Sequence, residues 1–232
     1  METMTMQPDL VSSMKFTDSS DLNPDWLYAE HKTGTTTMAV EYDGGVVIGA
    51  DTRTTTGSYV VNRVTDKLTR VTDHVYCCRS GSAADTQMIT DDIIYELDMY
   101  SIELGKPPLV KVVAKLFQNQ CYSRRDSASA GILVAGWDER EGGQVYSIPI
   151  GGMCVRQPIS IGGSGSTYLY GHCDNTFKKG MSKEECIKFV ANAVRLAINR
   201  DGGSGGCVRV ASIDKDGIQR QVILGNELPQ LY

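Results

Sequence analysis

From Thr35 onward, apolar and polar positions alternate in short runs, each closed by a turn rich in Gly or Asp. Residues 36–40 and 45–50 read as β-strands joined through Tyr42-Asp43-Gly44-Gly45, where Asp-Gly favours a tight hairpin. Residues 75–79 form another short apolar strand, and there the period changes. Ile89, Ile93, Leu97 and Tyr100 recur at helical spacing behind Ser82 and Asp85, a capping-box pair, until Gly105 and Pro107-Pro108 stop the helix. Val110, Val113, Phe117 and Cys121 mark a second helix. Residues 131–136 and 144–149 return to the strand pattern around Glu141-Gly142-Gly143, and residues 159–161 give a further strand before a short helix. The last helix starts at Ser182, with Glu185 at the capping-box position, and its apolar stripe is Ile187, Val190, Val194, Ala197 and Ile198. Residues 207–213 and 218–224 are final strands about the turn Asp214-Lys215-Asp216-Gly217.

Consecutive hairpins predict antiparallel sheets, and amphipathic helices need sheet faces to cover. The fold class expected is α+β, a four-layer α-β-β-α sandwich. Residues 1–34 do not share the pattern. They carry Asp9, Asp18, Asp21 and Asp25, lack the basic start and apolar stretch of a secretory signal, and are too acidic for a transit peptide. They read as a removable pro-segment ahead of one domain, residues 35–232.

Composition changes this picture little. A chain of 232 residues with 41% hydrophobic side chains can bury a core without staples. A net charge of −5 without a basic stripe argues against a nucleic-acid partner, and no apolar run reaches membrane-spanning length. Seven cysteines without a C-x-x-C pair fit small buried hydrophobes in a reducing intracellular compartment. The three histidines, His31, His74 and His172, are too dispersed for a zinc pattern, so no metal or cofactor is expected.

Gly202-Gly203-Ser204-Gly205-Gly206 matches the G-x-S-x-G nucleophile elbow. That motif needs a strand before it, a helix after it and a downstream histidine. Here a helix precedes, a strand follows, and no histidine comes after His172. The esterase reading fails.

A different hydroxyl can supply its own base. Thr35 follows Gly34 at the seam between the leader and the first strand. Cutting the Gly34–Thr35 bond would give an N-terminal threonine whose α-amine, with a reference pKa of about 7.7–8, can accept the hydroxyl proton. In the uncut chain that nitrogen is an amide and cannot act as a base. Lys67 is a candidate positive charge beside the hydroxyl, with Asp51 holding it oriented. Gly81, between a strand and a helix N-cap, offers a backbone N–H to a developing oxyanion.

These residues sit in Thr33-Gly34-Thr35-Thr36-Thr37, Gly49-Ala50-Asp51-Thr52-Arg53, Thr65-Asp66-Lys67-Leu68, Ser80-Gly81-Ser82-Ala83-Ala84-Asp85, Gly163-Ser164-Gly165-Ser166 and Asp201-Gly202-Gly203-Ser204-Gly205-Gly206. From Thr35 to about Leu224 the chain resembles proteasome β subunits, which are N-terminal-nucleophile hydrolases. The resemblance implies Thr35 as nucleophile, Lys67 and Asp51 as its tuning pair, and Gly81 as oxyanion donor. Ser164, Asp201 and Ser204 match a second cluster supporting the threonine amine. It also implies autocatalytic cutting at Gly34–Thr35, no cofactor, and assembly with other α and β subunits in stacked seven-membered rings of the cytoplasm and nucleus that degrade unfolded polypeptides. Arg79 occupies the position that floors the family's primary specificity pocket, which implies caspase-like cleavage after acidic residues. Thr54, Thr55, Thr65, Thr69, Ala83 and Gln87 are expected to line the same groove. The alternative is a non-catalytic structural β subunit of the same ring. The threonine, lysine, aspartate and preceding glycine all favour the catalytic side.

Overall fold

The computed structural model describes residues 34–227, and the expected leader lies outside the described residues except for Gly34. Twelve strands are β1 (Thr37–Tyr42), β2 (Gly45–Asp51), β3 (Thr54–Thr56), β4 (Tyr59–Asn62), β5 (Leu68–Arg70), β6 (Val75–Gly81), β7 (Ala130–Asp138), β8 (Gly142–Ile148), β9 (Val155–Arg156), β10 (Ile159–Gly162), β11 (Val208–Asp214) and β12 (Gly217–Ile223). The α-helices are α1 (Ala83–Leu104), α2 (Val110–Ser123), α3 (Tyr170–Thr176) and α4 (Lys183–Arg200), with a 3-10 turn at Ser164–Tyr168. Strand order is β10-β1-β2-β11-β12 in one five-stranded sheet and β5-β6-β7-β8-β9 in the other, with β3-β4 a separate hairpin. Every described pairing in them is antiparallel.

Three apolar cores make four layers. Alternation along β1 sends Met38 and Val40 toward Phe189, Val190, Val194 and Ala197 of α4, while Ala39 faces the opposite sheet. Along β6, Cys77 packs against Ile89, Ile93 and Phe117 of α1 and α2, whereas Cys78 points between the sheets. That inner core also holds Val46, Ile48, Leu133, Ala135, Val145 and Ile213. Period-two alternation with apolar residues on both faces is what a sheet covered twice requires.

The structure departs from the sequence expectation in several places. Tyr100 lies on the exposed side of α1, whose buried line instead runs through Thr86, Ile89, Thr90, Ile93 and Leu97. Ser82 does cap α1 by accepting from the Asp85 amide at 3.3 Å, but the Asp85 carboxylate turns away to accept from the Ser129 amide at 3.0 Å. At α4 the capping box is complete, with Ser182 and Glu185 each accepting the other's amide. Its buried stripe is rotated: Cys186, Phe189 and Ala193 are buried, while Ile187 and Ile198 are only half-buried. Strands β3, β4, β5 and β9 were not anticipated. All seven cysteines are free thiols, five of them buried.

Candidate active site

One end of the inner sheet pair gathers the candidate residues. Thr35 lies two residues before the start of β1 and is almost fully buried. Asp51 ends β2, the neighbour of β1, so the Thr37–Ala50 register carries its carboxylate to the start of β1. Its two oxygens accept from the amides of Thr36 at 2.9 Å, Arg53 at 3.0 Å and Gly205 at 2.9 Å, and from Lys67 Nζ at 2.6 Å. Lys67 comes from the other sheet, just before β5, so this buried ion pair ties the two sheets together beside Thr35. Burial pushes the Lys67 ammonium below the ordinary lysine value, and the Asp51 charge and hydrogen bond pull it back up.

The Gly34 carbonyl is where the two sides meet. Thr35 Oγ1 donates to it at 2.7 Å, and Lys67 Nζ stands 3.5 Å from the same oxygen. On the far side of Thr35, its amide donates to Ser164 Oγ at 3.1 Å. Ser164 follows β10, which pairs with β1 through Gly162 and Thr37, and this places the 3-10 turn beside Thr35. Ser164 Oγ and Ser204 Oγ both donate to Asp201 Oδ2 at 2.7 Å, and Asp201 caps the C-terminus of α4. Thr35, Asp51, Lys67, Ser164, Asp201 and Ser204 thus form one hydrogen-bonded neighbourhood drawn from five separate parts of the chain.

A cleft opens from Thr35. Among the described residues it is lined by Thr35, Thr54, Thr65, Lys67, Arg79, Ser80, Gly81, Ala83 and Thr86. Gly81 reaches it at the end of β6 with φ +102°, a conformation that a side chain would strain. Arg79, two residues before it, is half-buried; its Nε has no hydrogen-bond partner, and no carboxylate among the described residues pairs with its guanidinium. The N-terminus of α1 contributes Ala83 and Thr86.

Three expected groove residues do not line this cleft. Thr55 is buried and accepts from the Gly34 amide at 3.1 Å, Thr69 sits in β5 opposite Cys77, and Gln87 is on the exposed side of α1. Sequence reasoning also missed Thr36, which links the two polar groups. Its amide donates to Asp51, and its hydroxyl shares a 2.7 Å hydrogen bond with Ser204 Oγ. Among identical neighbouring threonines, only tertiary pairing distinguishes it.

A family profile described as "Proteasome subunit" matches residues 31–213. The chain belongs to the proteasome β subunit family. It is 56% identical over 209 residues to "Proteasome subunit beta type-6" of Dictyostelium discoideum, an alignment spanning 90% of this chain and 98% of the relative. It is 54% identical over 203 residues to "Proteasome subunit beta type-9" of Bos taurus, covering 88% and 92% of the two chains. "Probable proteasome subunit beta type-1" of Schizosaccharomyces pombe is 49% identical over 212 residues, covering 91% and 93%. In this proteasome subunit the matched segment includes, among the described residues, every element from β1 to β10, helices α1 to α4 and nearly all of β11.

Proposed function

We propose that this chain is a threonine endopeptidase subunit of the proteasome core particle, activated by its own cut at Gly34–Thr35 and preferring acidic residues before the cleaved bond. It works within rings shared with other α and β subunits, in the cytoplasm and nucleus, where reducing conditions suit its seven free thiols. The observation that carries the reading is the convergence of Thr35 Oγ1 and Lys67 Nζ on the Gly34 carbonyl oxygen.

In the uncut chain Thr35 Oγ1 attacks the Gly34 carbonyl carbon, and Lys67 stabilises the charge gathering on the oxygen. The hydroxyl proton passes to the Thr35 nitrogen as the C–N bond breaks, leaving an ester and an amine. Water then hydrolyses the ester, releasing the Gly34 carboxyl group and restoring the hydroxyl. The new amine, beside Ser164 and Asp201, takes the hydroxyl proton in each later turnover. A substrate peptide is cut through the same acyl ester on Thr35, with its amine half leaving first and water freeing the rest.

The acidic preference is supported by Arg79. A guanidinium that no carboxylate among the described residues pairs with, lining a cleft at the N-terminus of a 22-residue helix, suits an anionic side chain. Thr35→Ala is expected to abolish both self-cutting and turnover of a reporter peptide ending in glutamate. Wild-type-like rates in that variant would end the mechanism. Arg79→Leu is expected to lower the ratio of glutamyl to leucyl cleavage by about 10- to 100-fold, the worth of one or two charged hydrogen bonds. An unchanged ratio would mean that another residue sets the preference.

A further inference from the structure

We infer that Gly203 and Thr55 form a seat for Gly34 that exists only before the cut, and that they set the rate of self-cleavage rather than of turnover. This rests on the reading of Thr35 as the nucleophile.

The seat is built from two contacts. The Gly34 amide donates to Thr55 Oγ1 at 3.1 Å, and Thr55 is buried in β3. The Gly34 and Gly203 backbones lie against each other so closely that neither has room for a Cβ. One added to Gly34 would stand 2.7 Å from the Gly203 carbonyl carbon and 2.8 Å from its oxygen, and one added to Gly203 would stand 2.6 Å from Gly34 Cα. Real Cβ atoms do not approach so near, so one strand of backbone must give way.

Gly203 is the member that cannot move. Its amide donates to Asp201 Oδ1 at 3.1 Å, the Gly202 carbonyl accepts from Arg53 Nη1 at 3.1 Å, and the Gly205 amide is held by Asp51 at 2.9 Å. A methyl group on Gly203 would therefore push Gly34 outward and carry its carbonyl away from Thr35 Oγ1 and Lys67 Nζ. Misplacing a reacting group by about 1 Å can cost on the order of 100-fold in rate.

Once the bond is cut, Gly34 departs. The nearest remaining neighbour of a Gly203 Cβ is Asp201 Oδ1 at 3.4 Å, an ordinary contact, and no positive φ opposes a side chain there. The Thr55 hydroxyl likewise loses its donor. The same residues thus constrain the precursor and leave the cut enzyme alone.

The test uses full-length Gly203→Ala and Thr55→Val chains in their native assembly, beside wild type and Thr35→Ala. Intact mass over time gives the rate at which chains starting at Thr35 appear, and peptide hydrolysis is divided by the fraction cut. Gly203→Ala is expected to cut at least about tenfold more slowly, with turnover per cut chain within about twofold of wild type. Thr55→Val, which keeps the side-chain shape, is expected to lower the ratio of cutting rate to turnover about three- to tenfold and keeps the test open if Gly203→Ala does not assemble. Cutting at the wild-type rate in both variants, or cutting and turnover falling together, would overturn the seat. Residual cutting in Thr35→Ala would instead overturn the nucleophile, whatever the other two do.

Discussion

Two aspartates flank Thr35, and their surroundings differ. Asp51 is fully buried at the end of β2 and takes four donors, three of them backbone amides, with Lys67 as its counter-ion. Asp201 is half-buried at the end of α4, and its side-chain partners are the two serine hydroxyls and the Gly203 amide. The first arrangement is dry and tied into both sheets. The second is rimmed by an exposed serine and a glycine loop. The same carboxylate therefore serves as a buried anchor on one side of the nucleophile and as an acceptor at the solvent edge on the other.

The largest expected break in this comparison is in stability. Asp51→Ala leaves a buried lysine without its counter-ion and three amides without an acceptor, and should cost about 3–5 kcal/mol. Asp201→Ala should cost less, about 1–2 kcal/mol, because it strands no buried charge and the freed Ser164 hydroxyl is exposed to water, although Ser204 is buried. Chemical denaturation of the two variants checks this; equal losses would erase the distinction. Next comes Ser164→Ala, expected to lower turnover about tenfold through loss of one hydrogen bond to the amine, while stability shifts by less than about 1 kcal/mol. Steady-state kinetics beside a thermal melt separates the two effects.

The smallest effect is on pH dependence. Lys67 is lowered from 10.5 by burial and raised by Asp51 first and by Asp201 less. Since the mechanism needs the ammonium form, turnover should fall on the basic side below the pH of a free lysine. Asp51→Asn removes the main raising influence and should move that limb to lower pH. Asp201→Asn should move it less, and Ser164→Ala not at all. A pH–rate profile in which the three variants coincide would contradict the assignment of Lys67.

How far the sequence speaks differs between the same two regions. Thr35 and Asp51 stand beside β1 and β2, whose alternation is plain, but Lys67 stands before β5, which the pattern does not show, and its place beside them is legible only through the family resemblance. Helix α4 is legible from its Ser182–Glu185 capping box, but its buried face is not: Phe189 and Ala193 displace Ile187 and Ile198 because the β1–β2 surface, not residue hydrophobicity, chooses the face. Hairpin β3-β4 escapes because residues Tyr59–Asn62 are all exposed and show no in-out alternation. The threonines are hardest. Thr36, Thr54, Thr55 and Thr69 are chemically identical, and their separate fates as link, cleft wall, seat and strand residue depend on partners far along the chain. Asp85 shows the same limit: its spacing signals a reciprocal cap, yet the Ser129 amide offers its carboxylate a tertiary alternative.

The central claim is that Thr35 becomes the N-terminal residue of a working enzyme. Its most direct test is the intact mass of this chain recovered from its native assembly. The account predicts a mass that begins at Thr35, with the amine free. A full-length chain in an active particle would contradict it, since the only base the mechanism gives that hydroxyl would still be an amide.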